Sequence, residues 1–190
     1  MLRVLSKRQK GFRAQLARVR SADCHRDSVD AHGNATNYVV GEGYLRYEAK
    51  AHAQWHLWFE SEQDTGTRVD GFLLAHVKRL GTARVFYIDV VCSRHRKGKA
   101  LIRGAEALAR KLGCRVVALR AATQGVVAYY LRLGYRCVAN ACTSRRDLPP
   151  GAHAVTCVGA RARDLDEAAY KVEGTTITAH GGWWMSKCMR

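Results

Sequence analysis

Apolar and polar positions alternate most regularly in the middle of the chain. Residues 71–77 read as a strand, Gly81-Thr82 as a turn, and residues 84–92 as a second strand, its antiparallel hairpin partner. After a basic, glycine-containing stretch the period changes. Leu101, Ala105, Leu108 and Leu112 recur at helical spacing on one face, with Arg110 and Lys111 at the negative end of the dipole and Gly113 as the cap. A short buried strand over 115–120 follows, then a helix over 124–133 ended by Gly134, then a strand over 135–141. Pro149-Pro150-Gly151 marks a turn, residues 159–172 a charged helical insertion, and residues 175–178 and 183–187 terminal strands. Strand, strand, helix, strand, helix, strand, strand is the order of a mixed α/β sheet covered by helices.

The first 68 residues are harder to read. Phe12, Leu16 and Val19 make a short amphipathic stripe among arginines. Residues 1–35 therefore stand as a basic N-terminal segment: the first helix of the fold, an organelle presequence, or an arm for a polyanion. Residues 36–190 form the domain. In residues 36–68, Tyr44, Trp55, Trp58 and Phe59 are expected to bury, but no period is clear.

Composition limits the function classes. The chain has 190 residues, 47% hydrophobic and 25% charged, as a globular domain does. No apolar run approaches the ~20 residues of a membrane-spanning helix. Lys and Arg exceed Asp and Glu by 32 to 16, and the first 20 residues carry seven basic side chains and no acid. Such a balance suits a polyanionic partner: nucleic acid through the N-terminal segment, an anionic lipid, or a phosphate-rich cosubstrate. The seven cysteines are scattered and odd in number, which reads as free thiols in a reducing intracellular compartment, cytoplasmic or reached by import through residues 1–25.

Candidate chemistry concentrates after residue 92. Arg94-His95-Arg96-Lys97-Gly98-Lys99-Ala100 joins a strand to a helix start, where unpaired N–H groups and the dipole favour phosphate. Gly98 lets a diphosphate approach the backbone. Neither a P-loop nor a G-x-G-x-x-G is present. His52 and His56 lie four apart without the glutamate of a zinc-helix motif, so a surface role is expected. Cys92 reads as a structural thiol, and Trp183-Trp184 as packed strand. Cys24-His25 with His32 lacks a second ligand pair. Glu60, Glu62 and Asp64, and Asp164, Asp166 and Glu167, form two acidic clusters, read as solvated faces.

The loop resembles the R/Q-x-x-G-x-G/A signature of GNAT-superfamily N-acetyltransferases. Gly98 and Ala100 match, and His95 stands where Arg or Gln is usual. Residues 126–135, Val-Val-Ala-Tyr-Tyr-Leu-Arg-Leu-Gly-Tyr, resemble that superfamily's A-x-x-F-Y-x-x-x-G-F block, with Val126 and Thr123 as departures. The resemblance covers residues 69–137. It implies a mostly antiparallel sheet splayed at one parallel pair and flanked by helices. It further implies acetyl-CoA as cosubstrate. Its pantetheine arm would pair with the backbone of Val90, Val91 and Cys92, and its diphosphate would lie on His95, Arg96, Lys97, Gly98, Lys99 and Ala100, with Thr123 and Tyr130 beside them. Tyr130 would be the general acid for the leaving thiolate, and an amine the acceptor. The base stays open between Asp89 and His76, because Arg84 occupies the strand position where several members carry glutamate. A nucleic-acid- or ribosome-associated module and a CoA-binding pseudoenzyme are the rival readings. Acceptor and oligomeric state are not legible.

Overall fold

The computed structural model describes residues 1–19, 27–29, 35–37, 42–60, 69–80, 83–93, 97–121, 124–137 and 183–189. In chain order the elements are β1 (Leu2–Ser6), α1 (Phe12–Leu16), β2 (Asp27–Val29), β3 (Ala35–Asn37), α2 (Glu42–Ala51) and β4 (Trp55–Glu60). There follow β5 (Val69–Leu80), β6 (Ala83–Ser93), α3 (Gly98–Lys111), β7 (Val116–Ala121), α4 (Gln124–Arg132), β8 (Arg136–Cys137) and β9 (Trp183–Cys188). The chain divides into two compact units. One holds residues 1–28, 35–76 and 88–111, and the other residues 29–34, 77–87 and 112–190, so β5 and β6 contribute to both.

In the first unit the strand order is β1-β4-β5-β6. Antiparallel pairing sets Leu2 opposite Phe59 and Ser6 opposite Trp55, then His56 opposite Leu74 and Trp58 opposite Phe72. One face carries a core of Phe12, Val19, Leu45, Trp58, Phe72, Leu74, Val90 and Cys92, with Leu16 partly buried against it. The amphipathic stripe of the N-terminal segment is thus packed, each buried large side chain contributing roughly 1.5–3 kcal/mol. Arg18 adds a two-pronged contact to Glu60, Nη2 to Oε2 at 2.7 Å and Nη1 to Oε1 at 3.4 Å. The other face receives α3. A Cβ on Gly104 would run into the Leu2 side chain, and one on Gly71 would lie 3.1 Å from Leu101 Cδ1 and 3.0 Å from the Cys92 carbonyl. The close approach of helix, strand and strand requires glycine there.

In the second unit the order is β5-β6-β7-β9-β8. The Arg115 N–H donates to the Arg84 carbonyl at 3.1 Å, so β6 and β7 start side by side and run parallel. β9 pairs antiparallel with both β7 and β8.

Two expectations need correction. His56 does not lie on a surface; it is fully buried on β4, and His52 lies beyond α2. Cys92 and Cys188 are each engaged in a disulfide rather than being free thiols. Cys114 is free and buried, and burial pushes its thiol pKa up. The expected strand over 135–141 is β8, Arg136–Cys137, as far as the described residues reach. The insertion over 159–172 and the strand over 175–178 lie outside them, as do Glu62, Asp64 and the second acidic cluster.

Candidate active site

The site residues expected from sequence fall in both units. In the first, β6 ends at Ser93 and α3 starts at Gly98. The Leu101 N–H donates to the Lys97 carbonyl at 3.0 Å, the bond that opens the helix. The amides of Gly98, Lys99 and Ala100 precede it and therefore have no carbonyl within the helix. No acid lies in the first turn. The Lys97 ammonium stands 5.5 Å from the centre of the Phe59 ring, and Lys99 is exposed. Three successive amides, two lysines and the positive end of a 14-residue helix fit a diphosphate. Arg94, His95, Arg96 and Thr123 lie outside the described residues.

The strand before this terminus is irregular. Phe72, Leu74 and His76 share one face of β5 by the two-residue period. The Asp89 carboxylate reaches His76, while Val90 and Cys92 lie in the core with Phe72 and Leu74. Asp89 and Val90 are consecutive, yet both serve that face. Alternation is therefore broken between them, the signature of a bulge.

The His76 Nδ1 lies 2.9 Å from Asp89 Oδ2 and 2.8 Å from Oδ1, with side chains only 4% and 1% exposed. The two residues lie 13 positions apart in the chain and on different strands. The adjacency of β5 and β6 in the sheet brings them together. The His52 ring follows at 6.2 Å from the His76 ring, and the Tyr47 hydroxyl lies 3.4 Å from His52 Nε2. Nothing in the sequence pattern marked Tyr47.

In the second unit, Tyr130 is buried near the end of α4. Its carbonyl accepts the Tyr135 N–H at 3.1 Å, and the Leu131 carbonyl accepts the Gly134 N–H at 3.0 Å, with Gly134 at φ +87°. This is a Schellman cap, complete with its apolar contact: the Tyr130 and Tyr135 rings meet edge-on at 5.5 Å. Tyr129 packs on Tyr130 at 5.3 Å. Lys187 of β9 donates to the Leu133 carbonyl at 2.7 Å, a cation at the helix C-terminus. The -Y-Y-x-x-x-G-Y- spacing is thereby explained as a helix end that fixes one tyrosine ring.

The acidic side chain Glu60 is engaged within the first unit. It takes Arg18, the Trp58 indole N–H at 2.8 Å and Arg3 at 3.9 Å. The hydrogen bond from Arg18 is the main cause that holds its carboxyl below the usual range.

The mixed sheet flanked by helices is a fold shared with solved N-acetyltransferase structures. Tetrahymena GCN5 superposes with a TM-score of 0.56 at 11% identity, over 100% of this chain and 96% of that one. Arylalkylamine N-acetyltransferase 2 from Aedes aegypti gives 0.52 at 11% identity, covering 100% and 99%. Rv2747 from Mycobacterium tuberculosis, solved in complex with CoA, gives 0.51 at 14%, covering 99% of each. No protein-family model matches the sequence, and no curated protein matches it.

Proposed function

We propose that the chain is an acetyl-CoA-dependent N-acetyltransferase acting on a primary amine. The observation that carries this reading is the broken alternation at Asp89–Val90 leading directly into the acid-free N-terminus of α3. An irregular strand beside the helix terminus offers an extended pantetheine arm a place to align as an added strand. The amides of residues 98–100, with Lys97 and Lys99, offer the diphosphate both backbone donors and charge. The thioester supplies the activated acyl group, and the chain supplies position and proton handling.

Tyr130 is assigned the general-acid role from the sequence block it shares with the superfamily. The Schellman cap supports that role by fixing the ring, since a proton donor acts only from a held position. The acceptor amine attacks the thioester carbonyl directly, without an acyl-enzyme.

The test is the melting temperature with acetyl-CoA against ATP at matched ionic strength. A ligand at about 100 times its Kd adds about 2.7 kcal/mol, or about 5–11 °C for a chain of this size. A rise with acetyl-CoA alone supports the reading. Equal rises, or none, reduce the helix terminus to a generic anion site and favour a polyanion-binding module.

A further inference from the structure

We propose that the turn joining β1 to α1, together with the exposed side of α2, is a docking surface for single-stranded nucleic acid. Lys7, Arg8, Lys10 and Lys50 take backbone phosphates, and the Tyr47 ring takes a base. The inference goes beyond the acyl-transfer reading and does not depend on it. Every residue it uses belongs to the first unit.

Hydrogen bonds hold the turn in place. The Ser6 N–H donates to Gln9 Oε1 at 2.7 Å, and the Gln9 N–H to the Ser6 carbonyl at 2.9 Å. The Phe12 N–H reaches the Gln9 carbonyl at 3.3 Å, and the Lys7 N–H reaches the Gln54 carbonyl at 2.8 Å. Residues 7–10 thus leave a fixed backbone with all their side chains exposed, Lys7, Arg8 and Lys10 among them. A fixed row of cations loses less freedom on binding than a flexible arm does.

The bond from Lys7 to Gln54 also sets the turn beside the end of α2. Two residues before Gln54, the His52 ring meets the Tyr47 ring edge-on at 5.3 Å. Tyr47 is 47% exposed, and among the described side chains it is the only exposed aromatic. Lys50, three residues on, is exposed on the same side of the helix, while Leu45 and Glu48 are turned to the core. Cations beside an open ring are what a single strand needs: charge for its phosphates and a platform for a base.

No acid offsets this charge. Among the described side chains none is exposed: Glu48, Asp70 and Glu106 are buried, Asp89 faces His76, and Glu60 takes Arg18 and Arg3. Other polyanions fit less well. A lipid surface needs an apolar helix face to insert, and α1 spends its own on the core, where Phe12 and Val19 are buried and Leu16 is partly so. An acidic peptide matches the cations but gives the ring no planar partner. A duplex keeps its bases stacked, so the ring selects a single strand.

The experiment is fluorescence anisotropy of a labelled single-stranded RNA of about 12 nucleotides, with the full chain, between about 50 and 200 mM salt. Contacts from Lys7, Arg8, Lys10 and Lys50 predict a slope of about −3 in log affinity against log salt. Replacing Lys7, Arg8 and Lys10 by glutamine is expected to flatten it by about 2. Replacing Arg103, Arg110 and Lys111, exposed cations of α3, by glutamine removes equal charge and is expected to leave it unchanged. Tyr47→Ala is expected to weaken binding about 10-fold at an unaltered slope, and Tyr47→Phe to keep the wild-type affinity. Should Tyr47→Ala melt below the assay temperature, Tyr47→Leu, which refills the volume without a planar ring, carries the same test. Equal flattening by the two triple variants, an affinity indifferent to loss of the ring, or a duplex bound as tightly as the single strand overturns the assignment. So does ready displacement of the RNA by polyglutamate, or tighter binding to phosphatidylserine vesicles than to the RNA.

Discussion

His56 gives a quantitative prediction about stability. It lies on β4, fully buried, with neither ring nitrogen hydrogen-bonded. Its ring stacks on Trp58 at 4.9 Å and meets Phe72 edge-on at 6.4 Å. Burial, helped by the charge of Arg18 and opposed by Glu60, pushes its pKa down from 6.5 to about 3. The unfolded chain therefore binds a proton that the folded chain refuses, at every pH between those values. Stability is unaffected above about 6.5 and falls as pH drops below it. At pH 5 the loss is about 2 kcal/mol. That figure is set almost wholly by the unfolded-state value. His56→Phe keeps an aromatic ring in the stack and removes the titration. Urea unfolding at pH 7.5 and pH 5 should show the wild type losing about 2 kcal/mol more than the variant, or about 4–8 °C by melting. All other groups titrate alike in both proteins and cancel. Parallel pH dependences would refute the reasoning, because they would mean that His56 takes a proton in the folded state or meets water there.

Other expectations follow from particular contacts. Gly71→Ala places a Cβ 3.0–3.2 Å from Cys92, Leu101 and Ser93 and should cost about 1–3 kcal/mol in urea unfolding. Gly134→Ala meets no clash, but its φ of +87° alone should cost about 1–2 kcal/mol. Tyr130→Phe should lower turnover about 100-fold or more with an unchanged melting shift on acetyl-CoA, and equal turnover would remove its acid role. Glu60→Gln should cost less than about 1 kcal/mol, since the pair is part-exposed. Glu60's depressed pKa gives a contribution that is present above about 4.5 and lost as pH falls through the lower folded value, a window below that of His56.

The parts legible in the sequence are those whose buried positions carry apolar side chains. The stripe of α3, the β5–β6 hairpin and the glycine-ended α4 all obey that rule. The stretch from 42 to 60 breaks it. Buried positions of α2 include Glu48, and β4 buries His56 between Trp55 and Leu57, so the helical and strand periods are both interrupted. β1 is only five residues long and carries Arg3, and the basic composition around it pointed to a helix or an arm. At the candidate site, Asp89 and His76 were each visible, but their meeting depends on a strand irregularity that alternation rules read as facing the other way. Tyr47 and His52 are joined by a turn between α2 and β4, and neither element had been read.

The placement of β1 bears on how the N-terminal charge can be probed. Removing residues 1–25 looks like the trimming of a basic tail. It would in fact strip β4 of its five-residue pairing partner and take Phe12 and Val19 out of the core. The Trp55–Glu60 backbone would become an open template for other chains, and self-association would follow. Loss of nucleic-acid or lipid binding in such a truncation would report a broken sheet as readily as a missing charge. Replacing Lys7, Arg8 and Lys10 by glutamine removes charge at exposed positions while leaving the strand and its partners in place.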